Sequence, residues 1–470
     1  MSAYQSSLPA SGARSPLMTT YRPPLVRHTD WINPLVLLAL AGLGVLFIKS
    51  AQAHFTTGIQ IPQWEQQLVW LALGAACYLT VSAIDYHLWA KNAWLVYLGT
   101  VILLLLLWSP LGEVRSGARR WLGVGSYTIQ PSEFAKIGTI IMLAFYLEKA
   151  NLGSFRDSLA TLGKLAIIVG LPMVLIFLQP DLGSSMAVIP TVFALLYVSN
   201  LSARFFVTVF SVFVVGLLVL GVDIKNYENF LQAKMVVDGK ISSDGYRDFL
   251  AKNHLQPVAG LAEYESAVNA GKLSAKAYND LHHLTSADVL GQYGKRSWLP
   301  LKDYQRDRIA SFLYPAVVDP EGIGVTWNQR QSQIAVGTGG LTGKGYQEGT
   351  QARLGYLPPK VATSDFIMAV FLEETGFIGG LAVLGLYAIL LGNTLRIAWL
   401  ARDRFGQLIC VGVAVLFMVH VFVNIGMVQG LMPVKGIPLP LLSYGGSFVL
   451  SCCILMGLVQ SVYRHCREAV

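Results

Sequence analysis

Ten long stretches of mostly apolar residues recur along this 470-residue chain, and they constrain its fold more than any other feature. A helix needs about 20 such residues, with a tolerated range of roughly 17–25, to cross the hydrocarbon core of a bilayer. The sequence therefore predicts an all-α, polytopic membrane protein of about ten transmembrane helices. The stretches cover 33–51, 65–84, 92–109, 132–148, 163–178, 185–199, 204–223, 365–394, 407–428 and 446–463.

Composition excludes an ordinary soluble protein. Only 13% of the residues are charged and the mean hydropathy is +0.52, whereas soluble domains carry about 25% charged residues. The formal net charge of +8 does not indicate nucleic-acid binding, because Lys and Arg in a membrane protein mostly set its topology against anionic lipid. The five cysteines lie in or beside apolar runs without metal-ligand spacing, so we interpret them as small hydrophobic residues.

Basic residues in the short loops predict the orientation of the chain. The polar N-terminus carries Arg14, Arg22 and Arg27, whereas the first predicted outer loop, 52–63, has no Lys or Arg. We therefore expect both termini to lie in the cytoplasm. The predicted divisions are a disordered N-terminus at 1–30, transmembrane helices at 31–223 and 365–463, an extracytoplasmic helical insert at 224–300, an extracytoplasmic candidate catalytic loop at 301–364, and a cytoplasmic C-terminus at 464–470.

Several cations contradict the charge rule that gives this topology. Arg119, Arg120 and Lys136 fall in or beside one predicted outer loop, and Lys435 falls in another. Cations on the outer side weaken the orientation preference, so they need a local reason. An anionic ligand bound at the outer face would supply one, and scatter in a statistical rule is the alternative.

The outer excursion between 224 and 364 has two parts of different character. Its first part contains two similar segments, GKISSDGYRDF at 239–249 and GKLSAKAYNDL at 271–281, each with a serine suited to cap a helix. We predict a small α-helical insert over about 228–290 that covers the neighbouring loop or contacts a partner. The adjacent His282 and His283 would point to different faces of a helix and make a poor metal pair.

The second part of the excursion is rich in glycine, with six between 337 and 349. Glycine weakens helices and strands, so we expect the stretch 331–365 to be irregular. Such a loop lets backbone amides approach a ligand closely, with Lys344 and Arg353 supplying positive charge. A flexible connector is the alternative interpretation.

Ionisable groups within or beside apolar segments are energetically costly, so they are functional candidates. Glu133 and Lys136, spaced i and i+3, share one face of a helix that begins near Pro131 and can form a neutral pair facing the bundle interior. Asp181 precedes another apolar stretch, where it either caps the helix or binds substrate.

Asp319 is the strongest catalytic candidate on the outer side. Arg306 and Arg308 precede it and the glycine-rich stretch follows it. A carboxylate at such a position can act as general base on a sugar hydroxyl. Cations from the loops would then stabilise a departing diphosphate.

A set of long motifs makes the chain similar to a known family. GARRWLGVGSYTIQPSEFAK, LQPDLGSS, LKDYQRDRIASFL, DPEGIG, QSQIAVGTGGLTGKG, SDFIMAVFLEETGFIGG and GLMPVKGIPLPLLSYGGS resemble the motifs of the SEDS family (shape, elongation, division and sporulation), which includes the FtsW, RodA and SpoVE proteins. The similarity extends from about 30 to 465 except for the insert. Two motifs, GTQ at 349–351 and GIPLPLLSYGGS, favour the RodA-like elongation branch, whereas Lys435 favours the FtsW-like division branch.

The resemblance implies a peptidoglycan glycosyltransferase of the bacterial cytoplasmic (inner) membrane. Such an enzyme would polymerise lipid II, a disaccharide-pentapeptide on undecaprenyl diphosphate, beside a class B penicillin-binding protein during cell elongation and shape maintenance. It also implies a ten-helix bundle with a cavity open toward the outer leaflet. Asp319 matches the family's catalytic aspartate and Trp121 its outer-loop tryptophan, and the polar positions are matched by Glu133, Lys136 and Asp181. The family's usual LPE and TDF motifs are altered at 357–360 and 364–366. These changes affect what the resemblance implies about the details of the loop, but not the resemblance to the family.

These observations predict an enzyme whose Asp319 activates the acceptor hydroxyl. Its diphosphate and other substrate contacts are predicted to come from Arg119, Arg120, Trp121, Glu133, Lys136, Asp181, Arg306, Lys344 and Lys435. A divalent cation, Mg²⁺ or Mn²⁺, is compatible with this chemistry, but no cluster of ligands in the sequence demands one. The alternatives are a lipid II flippase with a polar path through the membrane, an FtsW-like division polymerase, and a scaffold for the penicillin-binding protein.

Overall fold

The computed structural model describes residues 29–54, 62–115, 118–124, 127–150, 155–179, 182–201, 203–237, 299, 301, 303–319, 322–434 and 436–465. The predicted disorder of the N-terminus, the two similar segments of the insert and the predicted site residues Asp181 and Lys435 lie outside the described residues.

Sixteen α-helices occur in the described part of the chain, and the ten predicted apolar stretches all coincide with helices. The first eight are α1 (Ile32–Gln52), α2 (Gln63–Ala83), α3 (Tyr86–Lys91), α4 (Ala93–Leu105), α5 (Pro131–Lys149), α6 (Phe155–Leu178), α7 (Leu182–Val198) and α8 (Ala203–Val237). The rest are α9 (Asp303–Leu313), α10 (Pro315–Val318), α11 (Trp327–Gly339), α12 (Thr350–Arg353), α13 (Pro359–Thr363), α14 (Ile367–Leu400), α15 (Arg404–Val428) and α16 (Gly446–His465).

Seven of these helices are long and apolar enough to cross a membrane, counted over the described residues: α1, α2, α6, α8, α14, α15 and α16. Helices α4 and α7 are apolar but shorter, and α5 carries ionisable residues at both ends. The prediction of a polytopic, helical membrane protein is therefore confirmed. Helix α8 continues to Val237, beyond the predicted end of its span at 223.

Helices α5, α15 and α16 form the centre of the bundle, where α15 packs on α5, α7, α14 and α16. In α15 and α16, 72% and 78% of the apolar span is buried by protein, whereas none of the apolar span of α8 is. Helix α8 instead packs on α9 and α10. Polar side chains on the central helices therefore face protein or an enclosed space.

A three-stranded antiparallel sheet connects α4 to α5, in a segment for which the sequence predicts no strand. Its strands are β1 (Gly112–Arg115), β2 (Ala118–Val124) and β3 (Tyr127–Ile129), in the order β1-β2-β3. Trp121 pairs with Glu113, and the register shifts between Glu113 and Val114. The sheet holds the predicted outer-loop residues Arg119, Arg120 and Trp121 in extended conformation.

The expectation of an irregular stretch over 331–365 is wrong for its first part, which lies in α11, and for the two short helices α12 and α13. Helix α11 includes Gly337 and Gly339, and it ends where Gly340 takes a φ of 57°. A Cβ added to Gly339 would lie 2.2 Å from the carbonyl oxygen of Leu372. Glycine at 339 therefore permits close packing of α11 on α14, and tertiary contact overrides its low helix propensity.

Candidate active site

A cavity of about 260 Å³ lies among β2, α5, α7, α15, α16 and two connecting segments, 364–365 and 436–445. Its wall combines polar side chains with glycine, proline and aromatic residues. The lining residues are Arg120, Trp121, Gln130, Glu133, Gly183, Ser184, Ser364, Asp365, His420, Gly436, Ile437, Pro438, Tyr444, Gly445, Ser447 and Phe448. It thus brings together three predicted site residues, Arg120, Trp121 and Glu133.

The two connecting segments are tied together behind the cavity wall. Asn424 on α15 donates one amide hydrogen to the Ile437 carbonyl at 2.7 Å and the other to the Asp365 carbonyl at 2.8 Å. The Ser443 hydroxyl donates to the Ser364 carbonyl at 2.7 Å. These bonds satisfy backbone groups that no helix or sheet pairs, as burial requires.

Strand β2 carries Arg120 and Trp121 to the cavity. The Arg120 guanidinium donates from Nε to the Gln179 carbonyl at 3.0 Å, which links the sheet to the end of α6. Arg120 is half-buried, whereas its neighbour Arg119 is exposed on the same strand. Arg120 is therefore the predicted outer-loop cation that the structure places at the cavity.

Glu133 and Lys136 form the neutral pair predicted from their spacing. Lys136 Nζ lies 2.9 Å from both Glu133 carboxylate oxygens. Lys136 is 2% exposed and Glu133 is 4% exposed. The Ser451 hydroxyl also donates to Glu133, at 3.3 Å. Glu133 lines the cavity, whereas Lys136 lies behind the wall, so the ammonium acts on the cavity through its partner. A buried pair this well satisfied avoids the large cost of an isolated buried charge.

His420 is a site residue that the sequence analysis missed. It lies in the predicted span 407–428, is 2% exposed, and lines the cavity. Its Nε2 is 3.3 Å from Lys136 Nζ, and its Nδ1 is 3.0 Å from the Pro438 carbonyl oxygen. The signal that could have identified it is an ionisable side chain in the middle of an apolar span.

Asp319 occupies a separate, compact site after α10. Its carboxylate accepts hydrogen bonds from the backbone amides of Gly322, Gly324 and Thr326 at 3.0, 2.9 and 3.1 Å. The Thr326 hydroxyl donates a fourth at 2.6 Å. The residue is 7% exposed, so its carboxylate does not point to bulk water.

Hydrogen bonding keeps Asp319 ionised. Burial raises the pKa of its carboxyl, but the four hydrogen bonds from Thr326, Gly324 and Gly322 outweigh that effect, and the pKa lies below its usual value of 3.8. Gly324 permits this geometry, because a Cβ there would lie 3.3 Å from the carboxylate. Gly322 has a φ of +70°, and a Cβ on it would collide with the Arg330 guanidinium. Arg330 is thus a cation beside the Asp319 loop that the sequence analysis did not select.

Helix α11 connects the Asp319 loop to the wall of the cavity. Its Gln329 side chain donates to the Met432 carbonyl at 3.2 Å, and Ser332 donates to the Val428 carbonyl at 2.8 Å. Both acceptors belong to the end of α15 and the segment leading to the cavity wall at 436. Asp319 is not among the described residues that line the cavity, and its role as general base remains a prediction.

Two other predicted cations are engaged in ion pairs. The buried Arg306 donates from Nε to Asp223 at 3.0 Å, which ties α9 to α8. Lys344 donates to Glu373 at 2.6 Å and to the Thr350 hydroxyl at 2.7 Å. The role of either cation at a diphosphate remains a prediction.

The described residues contain no group of three or more His, Cys, Asp or Glu side chains arranged to hold a metal ion. Asp319 alone offers one carboxylate whose oxygens already accept four hydrogen bonds. This does not fit a protein-held Mg²⁺ site, which needs near-octahedral oxygen ligands. The divalent cation remains a prediction.

The sequence matches the family model for FtsW, RodA and SpoVE, described as cell cycle protein, over residues 31–246 and 284–468. The chain belongs to this family. The match omits residues 247–283, which lie within the predicted helical insert. The insert was also the part of the sequence that showed no resemblance to the family motifs.

Named relatives of the family agree with the predicted enzyme class. The chain is 35% identical over 443 residues to the peptidoglycan glycosyltransferase RodA of Treponema pallidum, covering 93% of this chain and 98% of the relative. It is 31% identical over 440 residues to the peptidoglycan glycosyltransferase MrdB of Escherichia coli K12, covering 93% and 94%. The predicted peptidoglycan glycosyltransferase activity is thereby confirmed at the level of the enzyme class.

The fold is also similar to that of a chain in a solved structure, which is described as the structural coordination of polymerization and crosslinking by a peptidoglycan synthase complex. That chain superposes with a TM-score of 0.63 at 24% identity, covering 94% of this chain and 99% of the solved one. At this identity the likeness concerns the fold. It extends over nearly the full length of both chains.

Proposed function

We propose that this family member polymerises lipid II into glycan strands at the outer face of the bacterial cytoplasmic membrane during elongation and shape maintenance. One observation carries the proposal. A buried, ionised carboxylate on the predicted outer side, Asp319, is joined through α11 to the wall of a cavity among the helices that contains the polar side chains of Arg120 and Glu133.

The cavity suits the polar end of a lipid-linked substrate. Arg120 supplies a cation at the wall, and guanidinium groups bind phosphate oxygens with charge-assisted hydrogen bonds. Glu133, Ser184 and Tyr444 supply acceptors and hydroxyls for the sugar or the diphosphate. Arg119, exposed on the same strand, is available to a ligand that approaches from outside.

Asp319 then acts on the acceptor sugar. It removes the proton from the 4-hydroxyl of the acceptor GlcNAc as that oxygen bonds to the anomeric carbon of the growing chain. The bond from this carbon to the diphosphate oxygen breaks, and undecaprenyl diphosphate leaves with the electron pair. Preorganised cations stabilise the leaving group without moving during the reaction.

The low pKa of Asp319 has a consequence for this step. The carboxylate is in the correct, ionised form at neutral pH, but it is a weak base while it accepts four hydrogen bonds. Substrate binding is therefore expected to replace one donor by the acceptor hydroxyl. The Thr326 hydroxyl is the best placed to give way, because a side chain rotates more easily than a backbone amide.

The proposed partner is a class B penicillin-binding protein that cross-links the product, and both termini of the chain are proposed to lie in the cytoplasm. The solved peptidoglycan synthase complex of similar fold supports the partnership. The N-terminal cluster of Arg14, Arg22 and Arg27 supports the topology.

The test uses the purified chain with its partner, in detergent and in vesicles, with fluorescently labelled lipid II. Wild type should make glycan chains and Asp319→Ala should make none. Asp319→Asn, which keeps the size of the side chain, should fail as well. Unchanged glycan chains from Asp319→Ala would remove the proposed base, and transfer of lipid II across the vesicle bilayer without polymerisation would favour a flippase.

A further inference from the structure

His420 is buried, lines the cavity, and has no role in the reaction proposed above. It lies on α15 one turn before Asn424, and both side chains donate to neighbouring carbonyls of the cavity wall. His420 Nδ1 donates to the Pro438 carbonyl oxygen at 3.0 Å, and Asn424 Nδ2 donates to the Ile437 carbonyl oxygen at 2.7 Å. This face of α15 therefore holds the extended wall segment in place.

The contact with Pro438 decides which nitrogen of His420 carries the proton. A carbonyl oxygen can only accept, so Nδ1 must donate to Pro438. The other nitrogen, Nε2, faces the Lys136 ammonium at 3.3 Å. An ammonium can only donate, so Nε2 must be the bare acceptor of a neutral imidazole.

His420 thus completes the surroundings of a buried cation. Lys136 has three N–H donors; its ammonium lies within hydrogen-bond distance of Glu133 and of His420. The Phe448 ring stacks on the His420 ring with centroids 4.9 Å apart, and its centroid is 5.5 Å from Lys136 Nζ. These contacts fix the direction of the ammonium and, with it, the Glu133 carboxylate that lines the cavity.

We infer that His420 is a positioning residue for substrate binding: it joins the wall segment at Pro438 to the Lys136–Glu133 pair and so fixes the polar inner surface of the cavity. This inference rests on the proposed function, because lipid II is the ligand it assigns to the cavity. Without Nε2, one N–H of a buried ammonium loses its acceptor, and Lys136 and Glu133 turn to satisfy it.

Substitutions at 420 separate the hydrogen bonds from the bulk of the ring. Gln offers one N–H donor and one carbonyl acceptor, so His420→Gln can keep both contacts. His420→Leu removes both. His420→Asn keeps the same chemistry on a shorter side chain, which cannot span from Pro438 to Lys136.

The experiment measures lipid II polymerisation and the binding of labelled lipid II by the full chain with its partner. His420→Leu and His420→Asn should raise KM and Kd about tenfold, as expected for a lost hydrogen bond to a charged group, with kcat within about threefold of wild type. His420→Gln should match wild type in both. A merely structural role would instead lower the active fraction, and hence kcat, at unchanged KM and Kd.

Three results would overturn the inference: wild-type KM and Kd in both His420→Leu and His420→Asn, a His420→Gln defect as large as theirs, or a loss confined to kcat. If His420→Leu does not fold, the comparison of Asn with Gln decides the matter. Asp319→Ala is measured in parallel. If it polymerises like wild type, the proposed base is wrong, while the Kd series still decides the role of His420.

Discussion

The hydroxyl of Thr326 donates a 2.6 Å hydrogen bond to the carboxylate of Asp319, the shortest of the four that this carboxylate accepts. A bond to the ionised form lowers the pKa of an acid. The pKa of Asp319 is accordingly below its usual value, despite burial, which acts in the opposite direction.

Removing that hydroxyl should move the pH dependence of polymerisation. Thr326→Val keeps the size of the side chain but loses the donor, so the pKa of Asp319 should rise and the acidic limb of the pH–rate profile should move to higher pH. Stability follows the same sign. Because folding lowers the pKa of Asp319, its carboxylate stabilises the folded protein fully at pH values above its pKa in the unfolded chain. This stabilisation is lost as the pH falls through the pKa of Asp319 in the folded chain.

The measurement is kcat/KM against pH, together with thermal unfolding at each pH. Thr326→Ser retains the hydroxyl and serves as the control, with a profile like that of wild type. An acidic limb at the same pH in Thr326→Val and wild type would contradict the assignment of this bond as a cause of the lowered pKa.

The pair formed by Glu133 and Lys136 should show strong coupling in stability. Either Glu133→Gln or Lys136→Met leaves an unpaired charge in a buried place, which should cost about 3–5 kcal/mol of unfolding free energy. The double variant removes both charges and should cost clearly less than the sum. Unfolding in detergent, followed by intrinsic fluorescence, measures all four proteins. Additive losses would show that the two charges do not stabilise each other.

Hydrophobic patterning and helical spacing were sufficient to predict the membrane-spanning bundle and the Glu133–Lys136 pair from the sequence. Apolar runs of the required length predict spans whatever their neighbours, and an i, i+3 spacing fixes which side chains share a face. The same local rules do not say that Lys136 lies behind the cavity wall while Glu133 lines it. That distinction depends on α15 and α16, which are distant in the sequence.

Three features could not be predicted because they depend on tertiary contacts. The sheet of β1, β2 and β3 pairs short strands within a segment whose sequence indicates only a connecting loop between two spans. Helix α11 forms despite its glycines because it packs on α14. His420 acquires its tautomer from the Pro438 carbonyl, a partner that becomes visible only when α15 and the segment after it are placed together.

Two glycines of α11 should respond in opposite ways to the same substitution. A Cβ on Gly337 would meet no atom within 4 Å, so Gly337→Ala should be neutral or should stabilise the protein by up to about 1 kcal/mol through better helix propensity. A Cβ on Gly339 would lie 2.2 Å from the Leu372 carbonyl, so Gly339→Ala should destabilise it by about 1–3 kcal/mol. Melting temperatures of the two variants test this. Equal effects would show that α11 is not packed on α14 as described.

The break in α14 at Gly376 should be equally sensitive. Gly376 has a φ of 68° and a ψ of −165°, a conformation that is essentially restricted to glycine. The loop after α11 fills the break: the amides of Phe377 and Ile378 donate to the carbonyls of Gly340 and Leu341, and the amide of Lys344 donates to the carbonyl of Glu373.

Gly376→Ala would place a Cβ 2.3 Å from the amide nitrogen of Gly343, in addition to the strain of the left-handed backbone. We expect a loss of about 1–3 kcal/mol in stability and a parallel loss of polymerisation, because the same loop continues from α11 and the Asp319 site. Gly385→Ala, on the same helix with no atom within 4 Å of the new Cβ, is the matched control and should behave like wild type. If both variants keep full stability and activity, the loop does not depend on the break in α14, and α14 is not coupled to Asp319 through α11.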